Sequence, residues 1–445
     1  MFNNKKIFIL GMARSGFACA KLLSEYNNQI LITDNSQEPD LEKVKILESL
    51  GVEFISSTDP IDLLDETYDI LIKNPGVKPD HKTILKAQKL NIPVINEMEV
   101  GYHFLPKNTE IIGITGSNGK TTTTRLAYEI LKLGKTLVVL AGNIGIPLTE
   151  IANTIPENAI LLCEISDHQL LNMDKFKCNT SIVTNITETH IDFHGTFEKY
   201  KQTKARIFKE QTKDDFAILN KQNQNVMDIA NNILPKVITF NDEINYYDEE
   251  FIYIDGKEYL KRNDLVLKGD HNCENILVAI LLGRKYKVAD DKIKEAIKSF
   301  KGEPHRLEFI ANIDGVSYYN DSKATNIEST KIALKSFSNS IIIILGGEER
   351  GQNLEGLTEA MKNVKHIFAI GECRDRIKNY ANIHNIPCTS QEFLKEAMPL
   401  IFKTAKNGDI VLLSTATGSW DQYKRFEDRG DEFVSLILEH QKIHK

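Results

Sequence analysis

Ile111-Ile112-Gly113-Ile114-Thr115-Gly116-Ser117-Asn118-Gly119-Lys120-Thr121-Thr122 is the stretch on which the fold turns. Its apolar start predicts a buried parallel strand, its glycines a tight turn, and Thr122 to Lys132 a helix. That order presents backbone N–H groups and a helix N-terminus to phosphate oxygens. Gly116, Ser117, Asn118, Gly119, Lys120, Thr121 and Thr122 are therefore the candidate cradle for ATP, with Lys120 as a charge that follows the phosphates and Thr121 as a Mg²⁺ ligand. The stretch is not the common GxxxxGK[ST] pattern, because Ile114 stands where the first glycine belongs. A βα turn that is glycine-rich for packing alone would explain two glycines. It would not explain Gly-Lys-Thr at the start of a helix.

Outward from this loop, Thr136–Leu140, Ala159–Cys163, Ser181–Thr184, Phe216–Leu219 and Val237–Phe240 predict further strands. The first three run into Ala141-Gly142-Asn143, Glu164-Ile165-Ser166 and Asn185 to His190. Parallel strands converge at their carboxyl ends, so Asn143, Glu164 and His190 are expected to face the nucleotide. A carboxylate directly after a buried strand must be paired or hold a metal, which makes Glu164 a candidate Mg²⁺ ligand. His190-x-Asp192-x-His194 has a spacing that a zinc site could use, although no Cys lies nearby and solvated loop histidines are the alternative.

The helix expected over Thr196–Glu210 contains a misfit. Its apolar stripe is Phe197, Tyr200, Ile207 and Phe208, and Lys204 falls in the middle of it. Either Lys204 snorkels to solvent or it is buried with a depressed pKa and a chemical task. A neutral buried amine can take up CO₂ as a carbamate, which would turn a cation into a metal-binding anion.

The amino-terminal stretch reads as strand Lys6–Leu10, turn Gly11-Met12-Ala13-Arg14-Ser15-Gly16, a helix over Phe17–Tyr26 and strand Ile30–Thr33 ending at Asp34. This is a Rossmann-like βαβ opening, with Ala13 in place of the middle glycine of G-x-G-x-x-G. A nicotinamide-dependent dehydrogenase is one reading of it; Ala13 and the second nucleotide loop oppose that. A third strand, Asp69–Lys73, stops at Asn74-Pro75-Gly76. Beyond Gly302-Glu303-Pro304-His305-Arg306, strands at Val316–Tyr319, Ile341–Leu345, His366–Ile370 and Ile410–Leu413 alternate with helices. Thr325-Asn326-Ile327-Glu328 has the form of a capping box. The expected architecture is α/β with mostly parallel sheets in three domains: 1–98, Rossmann-like; 99–302, P-loop ATPase-like; and 303–445, Rossmann-like again.

Composition narrows the function classes. A net charge of −7 over 445 residues disfavours nonspecific nucleic-acid binding. The six cysteines form no C-x-x-C pair, so neither a disulfide framework nor a zinc knuckle is signalled. No apolar run approaches the roughly 18 residues of a membrane span. A soluble cytoplasmic protein is expected, as a monomer with no membrane or nucleic-acid partner.

These motifs together resemble the Mur ligases, ATP-dependent amide-forming enzymes of peptidoglycan precursor synthesis, over essentially the whole chain. The resemblance rests on Thr115 to Thr121, Gly142-Asn143-Ile144-Gly145, Asn185 to Asp192, His271-Asn272-Cys273-Glu274-Asn275 and Pro304-His305-Arg306. Asn320 to Asn326, and Ser419-Trp420-Asp421-Gln422-Tyr423 with Phe426, are similar to the members that add D-glutamate. The resemblance implies an acyl phosphate made from ATP and the L-alanyl carboxylate of UDP-N-acetylmuramoyl-L-alanine, which D-glutamate then attacks. It implies ATP contacts from Lys120, Asn275, Arg306 and Asp321, and Mg²⁺ on Thr121, Glu164, His190 and a carbamylated Lys204. Lys120, His190, Lys204 and Asp321 are the implied catalytic group. Gly11, Arg14, Ser15, Gly16, Asp34, Asn35, Asn74, Asn143 and His190 would face the UDP-substrate, and Lys323, Thr325, Arg350, Ser419 and Phe426 would face D-glutamate. Two departures stand out: Asp167-His168 where the family often has Ser-Phe, and Arg350 where a lysine is common. A Mur-type or folylpolyglutamate-type ligase with another amino acid, or a noncatalytic ATP-sensing module, are the competing readings.

Overall fold

The computed structural model describes residues 2–36 and 38–443, without the side chains of Asp192 and Ile443. They form two compact units, one holding the chain up to Asn263 with His271–Ile297, the other holding Asp264–Asp270 and the chain from Lys298 on.

The first unit contains two parallel sheets. Lys6–Leu10 (β1) is apolar at nearly every position and buried from Ile7 to Leu10, as a strand covered on both faces must be. With Gln29–Asp34 (β2), Glu53–Ser56 (β3), Ile70–Lys73 (β4) and Val94–Ile95 (β5) it makes a sheet of order β3-β2-β1-β4-β5. All its pairs are parallel. The helix Arg14–Ser24 returns the chain from β1 to β2 and buries Ala18, Cys19, Leu22 and Leu23. β3 was not foreseen, because a four-residue edge strand with exposed ends carries no continuous apolar run.

The second sheet comprises Glu110–Thr115 (β6), Val138–Gly142 (β7), Ile160–Glu164 (β8), Thr180–Val183 (β9), Phe216–Asn220 (β10) and Lys236–Phe240 (β11). Its order is β11-β10-β9-β6-β8-β7, all parallel. The chain leaves β6 toward β7 on one side and leaves its neighbour β9 toward β10 on the other, which opens a crevice at the carboxyl ends of these two strands. The next helix is Lys120–Leu131, starting two residues before the expected Thr122. The helix expected over Thr196–Glu210 is α-helical only at Phe197–Ala205 and tightens into a 3₁₀ turn at Arg206–Phe208, which still buries Ile207 and Phe208. Between the second sheet and the helix Asp270–Lys285, Tyr246–Tyr247 (β12), Phe251–Ile254 (β13) and Lys257–Lys261 (β14) form a small antiparallel sheet.

The second unit has one six-stranded sheet, of Glu308–Ile313 (β15), Val316–Asn320 (β16), Ile341–Gly346 (β17), Val364–Ile370 (β18), Cys388–Ser390 (β19) and Ile410–Leu413 (β20). The order is β15-β16-β20-β17-β18-β19, parallel except for β15, which joins β16 through an antiparallel hairpin. All six residues of β17 are buried, and each of its large side chains contributes about 1.5–3 kcal/mol by leaving water. The helix expected to open with Thr325 opens with Asn326, whose side chain accepts from Ser329 N. A one-residue shift corrects the capping reading: Asn caps as well as Thr, and the helix begins at Ile327. Among the described residues no helix is long and apolar enough to cross a membrane.

Candidate active site

The loop after β6 is built around two glycines. Gly116 has φ +149° and Gly119 φ +81°, and a Cβ on Gly116 would stand 2.0 Å from Thr184 Oγ1. Neighbouring strand exits hold the loop open. Ser117 N donates to Asn185 O at 2.8 Å, Asn118 N to Asn185 Oδ1 at 2.9 Å, and Thr184 Oγ1 to Asn118 O at 2.7 Å. Lys120 Nζ lies back over the loop, donating to the carbonyls of Gly116 and Ser117. Asn275 reaches the same place from the helix Asp270–Lys285, where its Oδ1 accepts from Thr123 Oγ1 at 3.0 Å. A Cβ on Gly119 would meet that oxygen at 2.3 Å.

Glu164 and Asn143 meet at the ends of β8 and β7. Glu164 is 1% exposed; its Oε1 accepts from Asn143 Nδ2 at 2.7 Å, while its buried Oε2 makes no hydrogen bond among the described residues. An ionisable oxygen in that position needs a cation. With the Thr121 hydroxyl at the helix start and His190 at the next exit, this is an oxygen-rich donor set that suits Mg²⁺. His190 sits in the left-handed region, φ +54°, and its ring lies parallel to that of Tyr200 at 6.3 Å between centroids.

Lys204 is fully buried and does not snorkel. Its Nζ lies 3.0 Å from Thr115 Oγ1 and 3.4 Å from Asp167 Oδ1. Burial, helped by the charge of Lys120 and opposed by Asp167 and Glu164, brings its pKa down to about 7. The apolar stripe thus concealed a polar pocket, which the helix Phe197–Ala205 closes.

Asp167 is the residue the sequence undervalued. From the N-terminus of the helix Asp167–Leu170 its Oδ2 takes His194 Nε2 at 2.7 Å, with His168 Nε2 at 3.6 Å and His190 Nδ1 at 3.9 Å. Burial raises its carboxyl, but the His194 hydrogen bond and the charges of Lys204, His168 and His190 hold it well below the usual carboxylate range. His190 and His194 do converge, and on Asp167; the Asp192 side chain lies outside the described residues.

The carboxyl edge of the first sheet collects Gly11, Asp34 and Asn74. Asp34 holds the turn, its Oδ2 accepting from Met12 N at 2.7 Å and its Oδ1 from Ser36 N at 2.9 Å. A Cβ on Gly16 would lie 1.9 Å from Gly11 O, so this glycine is required by close packing. Asn74 stands against Gly11, and its buried Nδ2 makes no hydrogen bond among the described residues. Arg14 donates to Gly145 O at 2.8 Å, tying this edge to the second sheet. Ser15 is partly buried in the same turn and Asn35 is exposed beyond β2.

The second unit holds the remaining predicted residues, Asp321, Lys323 and Thr325 after β16, Arg350 after β17, Ser419 and Phe426 after β20, and Arg306 just before β15. Asp321 is 4% exposed, accepting from Ser414 Oγ at 2.7 Å and from Leu307 N at 3.1 Å. Burial lifts its pKa to about 7 against those two hydrogen bonds and the charge of Arg306. Lys323 Nζ pairs with Glu303 Oε1 at 2.8 Å, and Arg306 approaches the other oxygen of Glu303 at 4.0 Å. Thr325 follows, its carbonyl accepting from Gln352. Arg350 is bound to Glu348 and lies 4.9 Å over the Trp420 ring. Ser419 is buried beside it, and Phe426 O accepts from Ser322 Oγ. Arg429, which no motif singled out, is the fixture here. Its buried guanidinium donates to Ser322 Oγ, Ser322 O and Gly418 O, holding the two loops together, and burial brings its pKa down to about 10. One arginine on an amphipathic helix gives no sequence signal of that role.

Comparison with known proteins bears on both units. The model for the MurD-like N-terminal domain of Mur ligases matches residues 5–96, that for the Mur ligase middle domain residues 114–283, and that for the Mur ligase glutamate ligase domain residues 305–417. The chain is 38% identical over 443 residues to the UDP-N-acetylmuramoylalanine--D-glutamate ligase of Geobacillus sp., covering 98% of each. It is 38% identical over 441 residues to the protein of that name from Streptococcus mutans, covering 98% of this chain and 97% of the relative. Among solved structures, MurF from Acinetobacter baumannii superposes with a TM-score of 0.61 at 15% identity, covering 97% of this chain and 93% of that one. The UDP-N-acetylmuramate-alanine ligase MurC from Thermotoga maritima gives 0.58 at 18% identity, covering 98% and 100%. The structural likenesses speak for the fold alone.

Proposed function

The chain belongs to the Mur ligase family, and from that premise we propose that it is an ATP-dependent ligase joining D-glutamate to UDP-N-acetylmuramoyl-L-alanine in peptidoglycan precursor synthesis. Its near-full-length identity to D-glutamate ligases is the observation that carries this reading. Gly116 to Thr122 and Asn275 bind the ATP phosphates in the first unit, and Arg306 and Asp321 are assigned to ATP from the second. Gly11, Arg14, Ser15, Gly16, Asp34, Asn35 and Asn74 bind the uridine diphosphate, with Asn143 and His190 toward the sugar. Lys323, Thr325, Arg350, Ser419 and Phe426 bind D-glutamate.

The chemistry is activation of a carboxylate followed by amide formation. Three anionic partners must approach one another, so positive charge at fixed positions is the main requirement. Lys120 supplies part of it. Thr121, Glu164 and His190 would hold Mg²⁺, joined by Lys204 as its carbamate; the unpartnered Oε2 of Glu164 supports that assignment. When bound, Mg²⁺ neutralises phosphate charge. A partly neutral Lys204 is competent to react with CO₂, which a solvent-exposed lysine near pH 7 is not. The reaction is assigned to a cytoplasmic monomer.

Phosphate release with UDP-N-acetylmuramoyl-L-alanine and ATP is expected only when D-glutamate is added. Release with L-alanine, meso-diaminopimelate or a folate-type acceptor in its place would transfer the enzyme to a different amino acid. ATP binding without release under any of these conditions would make it a sensor.

A further inference from the structure

We propose that Asp167, His168 and His194 form a binding site for a borderline divalent transition metal, of the Zn²⁺ or Co²⁺ class, built on donors other than the residues assigned to Mg²⁺ and bordering two of them, His190 and Lys204. The proposal does not rest on the ligase reading, since it concerns the free protein.

Three observations carry it. One ligand atom from each of the three side chains lies within 4.8 Å of the others. A tetrahedral ion with bonds near 2.1 Å needs donors about 3.4 Å apart, and the separations of Asp167 Oδ2 from His194 Nε2, 2.7 Å, and from His168 Nε2, 3.6 Å, bracket that value. The Nε2 atom of His168 is buried and makes no hydrogen bond among the described residues, although its ring is fixed against Phe193 with centroids 3.9 Å apart. A buried imidazole nitrogen without a partner, turned toward a carboxylate that also holds another imidazole, has the donor orientation of a metal site.

The donor types decide the metal. Two imidazoles and one carboxylate favour Zn²⁺ or Co²⁺, whereas Mg²⁺ prefers oxygen and keeps its waters. His190 Nδ1, 3.9 Å from the same carboxylate oxygen, is the nearest further donor. Two lysines border the cluster without occupying its donor atoms. Lys204 lies on Oδ1 of Asp167, and Lys73 is turned to the carbonyls of Asn74, Pro75 and Val77. Binding replaces the His194–Asp167 hydrogen bond: His194 ligates through an unprotonated Nε2 and carries its ring proton on Nδ1. No other bond changes.

The test is Co²⁺ binding to the free full-length protein in excess Mg²⁺, followed by the visible absorption of four-coordinate Co²⁺ and by displacement with Zn²⁺. One equivalent with that absorption is expected, weakened about tenfold or more in His168→Phe, whose ring fits the same slot against Phe193. Absence of this equivalent, or equal affinity in a folded His168→Phe, would overturn the site. Should that variant not fold, Co²⁺-soaked wild-type crystals decide: an anomalous-scattering peak among Asp167, His168 and His194 supports the site, and a peak elsewhere or none rejects it. Absence of Co²⁺ binding in the wild type with ligase activity intact would dismiss the metal site alone, and the reverse would dismiss the ligase reading alone.

Discussion

At the scale of single residues, two lysines bear most of the functional reading. Lys120 lies half-buried at a helix start, with its Nζ turned to the carbonyls of Gly116 and Ser117 in the phosphate loop. Lys120→Ala should therefore leave melting unchanged and lower ligation by about 10²-fold or more, in a phosphate-release assay. Full activity in the folded variant would remove the ATP assignment. Lys204 is the opposite case, fully buried with Thr115 and Asp167 as partners. Lys204→Ala should lose most activity, but deletion also strands the Asp167 charge and costs stability, so the loss alone does not reveal a carbamate. Partial recovery with acetate, and a mass increase of one CO₂ on wild-type Lys204, are the expected signatures; the absence of both would leave a plain buried ammonium. Both lysines were legible as residues of interest. Asp167 was legible only as a departure from the family pattern, because nothing in Glu-Ile-Ser-Asp-His-Gln says that two imidazoles from elsewhere, His190 and His194, will join His168 at it.

At the scale of elements, strand ends do the positioning. Asp321 leaves β16 into a buried setting, where its carboxyl is raised from an ordinary 3.8 to about 7. The folded state then binds this proton more tightly than the unfolded chain does. Its contribution to stability is greatest below about pH 4, falls as pH rises through about 7, and is constant above that. Asp321→Asn carries no such proton, so its melting temperature relative to wild type should climb between pH 4 and 7.5 while turnover at pH 7.5 falls. A melting difference independent of pH would mean that the carboxyl titrates near its ordinary value. Elements were read well where a continuous apolar run met a glycine turn, as at β1, β6 and β17. They were missed where the strand was short and on an edge, as at β3, or was pulled into the sheet by a hairpin, as at β15. There the partner supplies the reason for being a strand.

At the scale of the whole molecule, the contact structure resolves two compact units, while the sequence suggested three domains. Glu97 explains part of this. From the helix Glu97–Tyr102, near the expected boundary at residue 98, its buried carboxylate accepts from Thr149 N at 2.7 Å, and Glu99 beside it accepts from the backbone of Asp174, Lys175 and Phe176. Those bonds join the first two sheets into one unit. Two units with separate cores should not melt as a single cooperative block, so the calorimetric unfolding enthalpy is expected to exceed the van't Hoff value. Equality of the two would show that the units unfold together. By itself the sequence determined the α/β class, the phosphate loop, the alternation of the strongly apolar strands with helices, and the residue types at their exits. These follow from local rules: apolar runs must be buried, a turn that needs positive φ favours glycine, and a helix start attracts phosphate. Only the tertiary structure decided what gathers around Asp167, that Lys204 is buried beside it, and that Arg429 clamps Ser322 to Gly418. Those outcomes depend on side chains from distant segments sharing one low-dielectric site, and the energy of such a site belongs to the assembled group of charges, not to any stretch of chain.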